Sequence, residues 1–201
     1  MINAKYELVG AHTKIVAGTT LFRIRALVAI GEDIGIGDIG GYIESVGNLS
    51  VTGTAWVHDD AQVSSNAHVS GNAQVSGNAQ VSGNAQVSGN AQVSGNAQVS
   101  GNAQVCKCAR VYSNAQVYGN ACVTSTAWIS GTARISGDAE ISGTACVNGN
   151  AWVSDTALVY GNARVNGAAL VKKNARVNGS ALVHGTAVMG DDAWIYQGEL
   201  N

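Results

Sequence analysis

One hexapeptide, Ser-Gly-Asn-Ala-Gln-Val, runs without a change from Ser70 to Val105, six copies in succession. The period continues far beyond the identical copies. Stepping by six from Val51 to Ile195 meets 20 Val, 4 Ile and Met189, and no insertion breaks the count. Two residues before each of these stands Ala, from Ala55 to Ala193; only the first is preceded by Leu49 instead. Internal periodicity of this length dictates the architecture before any other signal. A helix would turn about 240° per hexad and scatter the aliphatic column round its surface, and Gly, Asn, Ser and Val are poor helix formers. A strand fits. Ala-x-Val alternates, with Ala and Val on one face and the middle residue on the other. Ser-Gly-Asn then breaks the strand, because Gly and Asn accept the positive φ of a tight corner. No single hexad can bury its own Val, so successive hexads must stack as coils around a shared interior. The sequence therefore predicts an all-β parallel β-helix, with corner asparagines such as Asn72, Asn78 and Asn84 in ladders of side-chain amides.

The hexad Val-Ser-Gly-Asn-Ala-Gln resembles the signature of the hexapeptide-repeat left-handed β-helices: aliphatic, small, any, any, small, any. The resemblance implies a left hand, three hexads per triangular coil, and about eight coils over roughly 40 Å. Residues 1–47 read differently. KYELVG, TLFRIRALVAIGEDIGIGDIGGYIES and NLSVTGTAWV resemble the N-terminal module of bacterial and phage members of that family, through Tyr6, Leu21, Arg23, Ile24, Arg25, Leu27, Gly37, Asp38, Gly40, Gly41, Ile43, Glu44, Asn48 and Trp56. Phe22 and Ile39 are conservative departures. Physically this segment reads as a small β cap that shields the first coil's strand edges. The expected organisation is a cap over 1–47, a solenoid over 48–196 and a tail over 197–201.

Composition narrows the function classes. The chain has 201 residues, a formal net charge of −2 and 12% charged residues, too balanced for an electrostatic nucleic-acid binder. No apolar run approaches the roughly 20 residues that span a bilayer, and MINAKYELVG lacks the pattern of a signal peptide. Cys106, Cys108, Cys122 and Cys146 are unevenly spaced and read as free thiols of a reducing cytoplasm. The expectation is a cytoplasmic protein, in a bacterium or an infected host cell, with neither nucleic-acid nor membrane partner. Cys106-x-Cys108 has no second pair to complete a zinc set. No residue is assigned a catalytic, cofactor-binding or metal-binding role.

Function in such a chain belongs to the residue preceding each Val, which points outward. With three hexads per coil these residues form three faces. The first runs Trp56, Gln74, Gln92, Arg110, Trp128, Cys146, Arg164, Leu182; the second Gln62, Gln80, Gln98, Gln116, Arg134, Trp152, Leu170, Val188; the third His68, Gln86, Gln104, Cys122, Glu140, Leu158, Arg176, Trp194. The identical copies contribute Gln, and the later coils turn varied and apolar. Trp152, Leu170 and Val188, with Leu158, Trp194 and the terminal Leu200, are the candidate interface. They point to a non-enzymatic structural or protein-interaction solenoid, a homo-oligomer through its C-terminal coils or the binder of an unidentified protein partner. Two other readings stand beside it. The resemblance also implies an acyltransferase-like enzyme, which would use acyl-CoA and a histidine base, yet His58, His68 and His184 share no stacked column and no loop interrupts the repeat. A polysaccharide- or surface-binding solenoid would use Trp56, Trp128, Trp152 and Trp194, which fall on three faces.

Overall fold

The computed structural model describes residues 5–201. Among them there is no α-helix, only a single 3-10 turn at Val46–Asn48. From Trp56–Val57 to Trp194–Ile195 every hexad contributes one two-residue strand, and each strand pairs in parallel with the strand 18 residues away. Three sheets of 11, 9 and 8 strands result, one per face. The chain is thus a parallel β-solenoid of about nine turns. The spacing between paired strands fixes the coil at three hexads.

The interior is the Val column itself. From Val57 to Val183 the aliphatic column and every Ala two residues before it are buried. Each enclosed Val contributes about 1.5–3 kcal/mol relative to an exposed one. The corner closes by a bond from the Ala amide to the Ser carbonyl three residues back, as in Ala73 N to Ser70 O at 3.3 Å. Its glycine is left-handed, Gly71 at φ 68°, and a Cβ there would stand 3.0 Å from the backbone of Gly89 in the next coil. The expected amide ladders are present along the corners. Asn66, Asn84, Asn102 and Asn120 pass a side-chain hydrogen bond from coil to coil at 2.8–3.0 Å, ending on Asp138.

The first turn departs from the hexad count. Strand β3 (Ile39–Ile43) pairs in parallel with Gln62–Val63, so Ile43 lies opposite Val63, and Leu49 bridges to Val69. Leu49 is therefore the inward residue of this turn, while Val51, expected to open the column, is 54% exposed in the bend before Trp56. The physical reason is a slack of two residues: the offset to the next coil is 20 at Ile43 and Leu49 but 18 from Trp56 onward.

The N-terminal module caps the solenoid by continuing one of its sheets. A hairpin of β1 (Tyr6–Val16) and β2 (Thr19–Ala26) pairs antiparallel onto β3 and extends the second face to eleven strands. The remaining edge is covered by side-chain donors. Tyr6 Oη donates to the carbonyls of Val46 and Leu49, and Lys5 Nζ to those of Ser50 and Ala55 at 3.0 and 2.8 Å. Gly40 lets β3 approach this closely. A Cβ on it would stand 2.5 Å from Val57 O and 2.8 Å from the Trp56 ring.

At the other end, Glu199–Leu200 is a strand on the first face, with Leu200 opposite Val183.

Candidate functional site

The interior is sealed, so chemistry is confined to the outward side chains and corners. The structure stacks the second-face candidates as the 18-residue coil requires: Trp152 opposite Leu170, and Leu170 opposite Val188. Trp152 and Val188 are exposed and Leu170 is half-buried between them. The Trp152 indole is held along the face, its Nε1 donating to Ser136 Oγ at 3.0 Å.

The third-face pair is not contiguous. Arg176 stands between Leu158 and Trp194, pairing with both. Trp194, at 67% exposure, donates from Nε1 to Asn178 Oδ1 at 3.2 Å. Leu200 is not an outward residue; it packs against the core beneath the last coil. Tyr196, which the outward-column reading left out, is exposed beside Trp194 because it sits at a corner and not at a column position.

Trp56 also departs from its sequence reading. Although it occupies an outward column, it is 2% exposed, edge-on to the Tyr6 ring at a centroid distance of 6.4 Å. It holds the cap and has no open face.

The histidines are spread over the molecule. His12 is exposed on β1, His58 Nε2 lies 2.5 Å from Gln74 Oε1, His68 Nδ1 lies 2.8 Å from Gly47 O, and His184 pairs with Glu199. None faces a second histidine or a cysteine within a shared cavity. Strands follow one another every six residues from Trp56 to Trp194, with no loop extruded to build a pocket. The thiols are free; Cys106 Sγ lies 3.2 Å from Thr124 Oγ1. Burial, and then the neighbouring Cys106, push the Cys122 thiol up, away from the reactive thiolate.

The first face carries a recess, a notch of about 570 Å³ between Trp128 and Arg164, floored by Cys146. The outward column there runs large, small, large, and the missing volume over Cys146 opens the notch. The sequence contained this signal, which appears only when the first face is read by side-chain volume.

The fold and its repeats define the class: a β-solenoid repeat protein. A family model described as the YdcK beta solenoid repeat matches residues 73–89, 79–95, 85–99, 91–107 and 157–172. The chain is similar to that family over these windows, four of them over the array and the two residues after it and one over a later coil. No curated protein matches it. Among the described residues no helix is long and apolar enough to cross a membrane.

Proposed function

We propose that this chain is a non-enzymatic structural solenoid that works by self-assembly, with its C-terminal coils as the contact and the identical hexads as a spacer. The observation that carries this reading is the unbroken outward stack Trp152–Leu170–Val188 on the second face, in which the last residue is 60% exposed. Contiguous apolar side chains on a lateral surface favour burial against a partner, and two copies of the same stack are complementary to each other about a two-fold axis. Trp194 and Tyr196 widen the apolar surface around the same coils. The array offers nothing comparable. Its outward residues are Gln, and its corners are Asn already bonded to one another.

Sedimentation or light scattering across a concentration series tests the reading. The unmodified chain is expected to associate in the micromolar range. Trp152→Lys with Val188→Lys is expected to shift it to monomer with an unchanged melting temperature, since both positions point outward. A monomer at high micromolar concentration for the unmodified chain contradicts self-assembly. An assembly that ignores the double substitution contradicts the second-face contact.

A further inference from the structure

We infer that the first-face notch is a binding site for one hexuronate unit of an acidic polysaccharide. The site is separate from the second-face contact and does not depend on it.

Trp128 forms one wall. Its ring leans toward the preceding coil, where the Arg110 guanidinium stands 5.3 Å from the ring centroid and Tyr112 meets it edge-on at 6.3 Å. The indole is thereby held upright at 42% exposure and also lines the notch. A fixed flat aromatic wall suits the C–H face of a pyranose ring, which offers apolar surface without a fixed charge. Arg164 forms the opposite wall, two coils away, a span of about 10 Å at the usual strand spacing. Its guanidinium has no carboxylate partner among the described residues, in contrast to Arg23 and Arg25, which are ion-paired to Asp60 and Glu7. No acidic side chain lies in the first-face column between Gln74 and Leu182.

The sides supply hydrogen-bonding groups of both kinds. The Asn166 side-chain amide has no hydrogen-bond partner among the described residues, and Asn148 spends one amide hydrogen on the Cys146 sulfur at 3.5 Å. Each amide both donates and accepts, as ring hydroxyls require. Thr144 narrows the other side, its hydroxyl bonded to Gly161 O at 3.2 Å.

Charge selects the ligand. Arg110 is engaged over the indole, so a single free guanidinium faces the notch. It matches one carboxylate through a bidentate pair. A nucleic acid needs a row of cations, which a chain of net charge −2 with one cation in the notch does not provide. An acidic peptide brings carboxylates but no rigid ring to lie on the indole.

The test follows the Trp128 indole Nε1 signal in a 15N-labelled chain, assigned by its loss in Trp128→Phe, at about 0.15 M salt. A galacturonate tetrasaccharide is expected to shift this signal saturably, with the Trp152 and Trp194 signals unmoved. Maltotetraose, neutral, and a glutamate tetrapeptide are each expected to bind at least about tenfold more weakly. Arg164→Gln is expected to weaken the galacturonate about tenfold and leave maltotetraose unchanged, with the melting temperature preserved. Trp128→Ala should abolish both shifts, read at Asn148 and Asn166 side-chain amides. No saturation by the galacturonate at about 10 mM overturns the site. Equal binding of maltotetraose, or indifference to Arg164→Gln, overturns the role of charge. Equal binding of the glutamate peptide overturns the sugar.

Discussion

The identical array and the two ends of the solenoid follow different rules. Between Ser70 and Val105 two identical coils stack on each other, and each meets a varied coil on its other side. Between these two coils Val stacks on Val, Gln on Gln and Asn on Asn. The ends have no such neighbours. At the N-terminus the first turn is built from a hairpin, an extra bend and side chains, among them Lys5, Tyr6, Arg23 and Asn48, that donate to backbone carbonyls. In the later coils the outward column carries Arg, Trp, Cys and Leu, and the volume varies from level to level. Repetition yields uniform faces, and the outward surface varies only where repetition stops.

The largest expected effect is inside the rod. Val93→Asp buries a carboxylate between Val75 and Val111 with no partner in reach. The cost of an isolated charge in such a place exceeds most single substitutions. Denaturant unfolding should show loss of the cooperative transition, or a fall of more than about 4 kcal/mol. A mild change would mean that the column is not sealed.

The next effect belongs to the cap. Gly40→Ala drives a methyl into Val57 O and the Trp56 ring. A cost of about 1–3 kcal/mol is expected from this overpacking, and Trp56 should become wetter, seen as a red shift of its emission. An unshifted spectrum with wild-type stability would show that β3 does not rest on the first coil.

A smaller effect is set by pH at the same end. Burial pushes Lys5 down to about 8, from 10.5 in an exposed chain. Between those values the unfolded chain holds a proton that the folded chain has released, so stability rises with pH. Below about pH 8 the cost of the buried charge is fully present. The urea midpoint of the unmodified chain is expected to gain between pH 7.5 and 9.5 relative to Lys5→Met, which lacks the titrating group. Parallel profiles for the two chains would refute the assignment.

The smallest effect is on the array's surface. Gln92→Asp, one residue from Val93 but pointing outward and exposed, should shift stability by under about 0.5 kcal/mol. A shift comparable to that of Val93→Asp would reverse the inward and outward assignments.

These contrasts also show what the sequence made legible. The hexad, its inward column and the amide ladders could be read because the same local rule recurs at every level. The coil of three hexads came from family resemblance, and the pairing of Gln92 with Gln74 and Arg110 bears it out. Misreadings cluster where the rule ends. Val51 keeps the six-residue count, but the pairing of β3 leaves slack of two residues and puts Leu49 inside. Trp56 keeps an outward position, yet Tyr6, from 50 residues earlier, covers it. Leu200 lies one residue short of the column, and the strand at Glu199–Leu200 absorbs that difference by pairing with Leu182–Val183. The notch over Cys146 is a property of three stacked volumes 18 residues apart, legible only once the first face is assembled.

The central claim is that the array is interchangeable in units of one coil and carries the later faces in a fixed orientation to the cap. A distance between spin labels at Gln86 and Arg176, exposed on the third face, tests it most directly, with the four native thiols replaced by serine. The two sites are five coils apart, about 24 Å at the usual strand spacing. Removing residues 88–105, one whole coil, should shorten the distance by about 4.8 Å and leave both labels on one face. Removing residues 88–93, one hexad, should carry the second label round a corner to the neighbouring face and shift the distance distribution by a different amount. Equal shifts for the two deletions, or no shortening for the whole coil, would contradict the account.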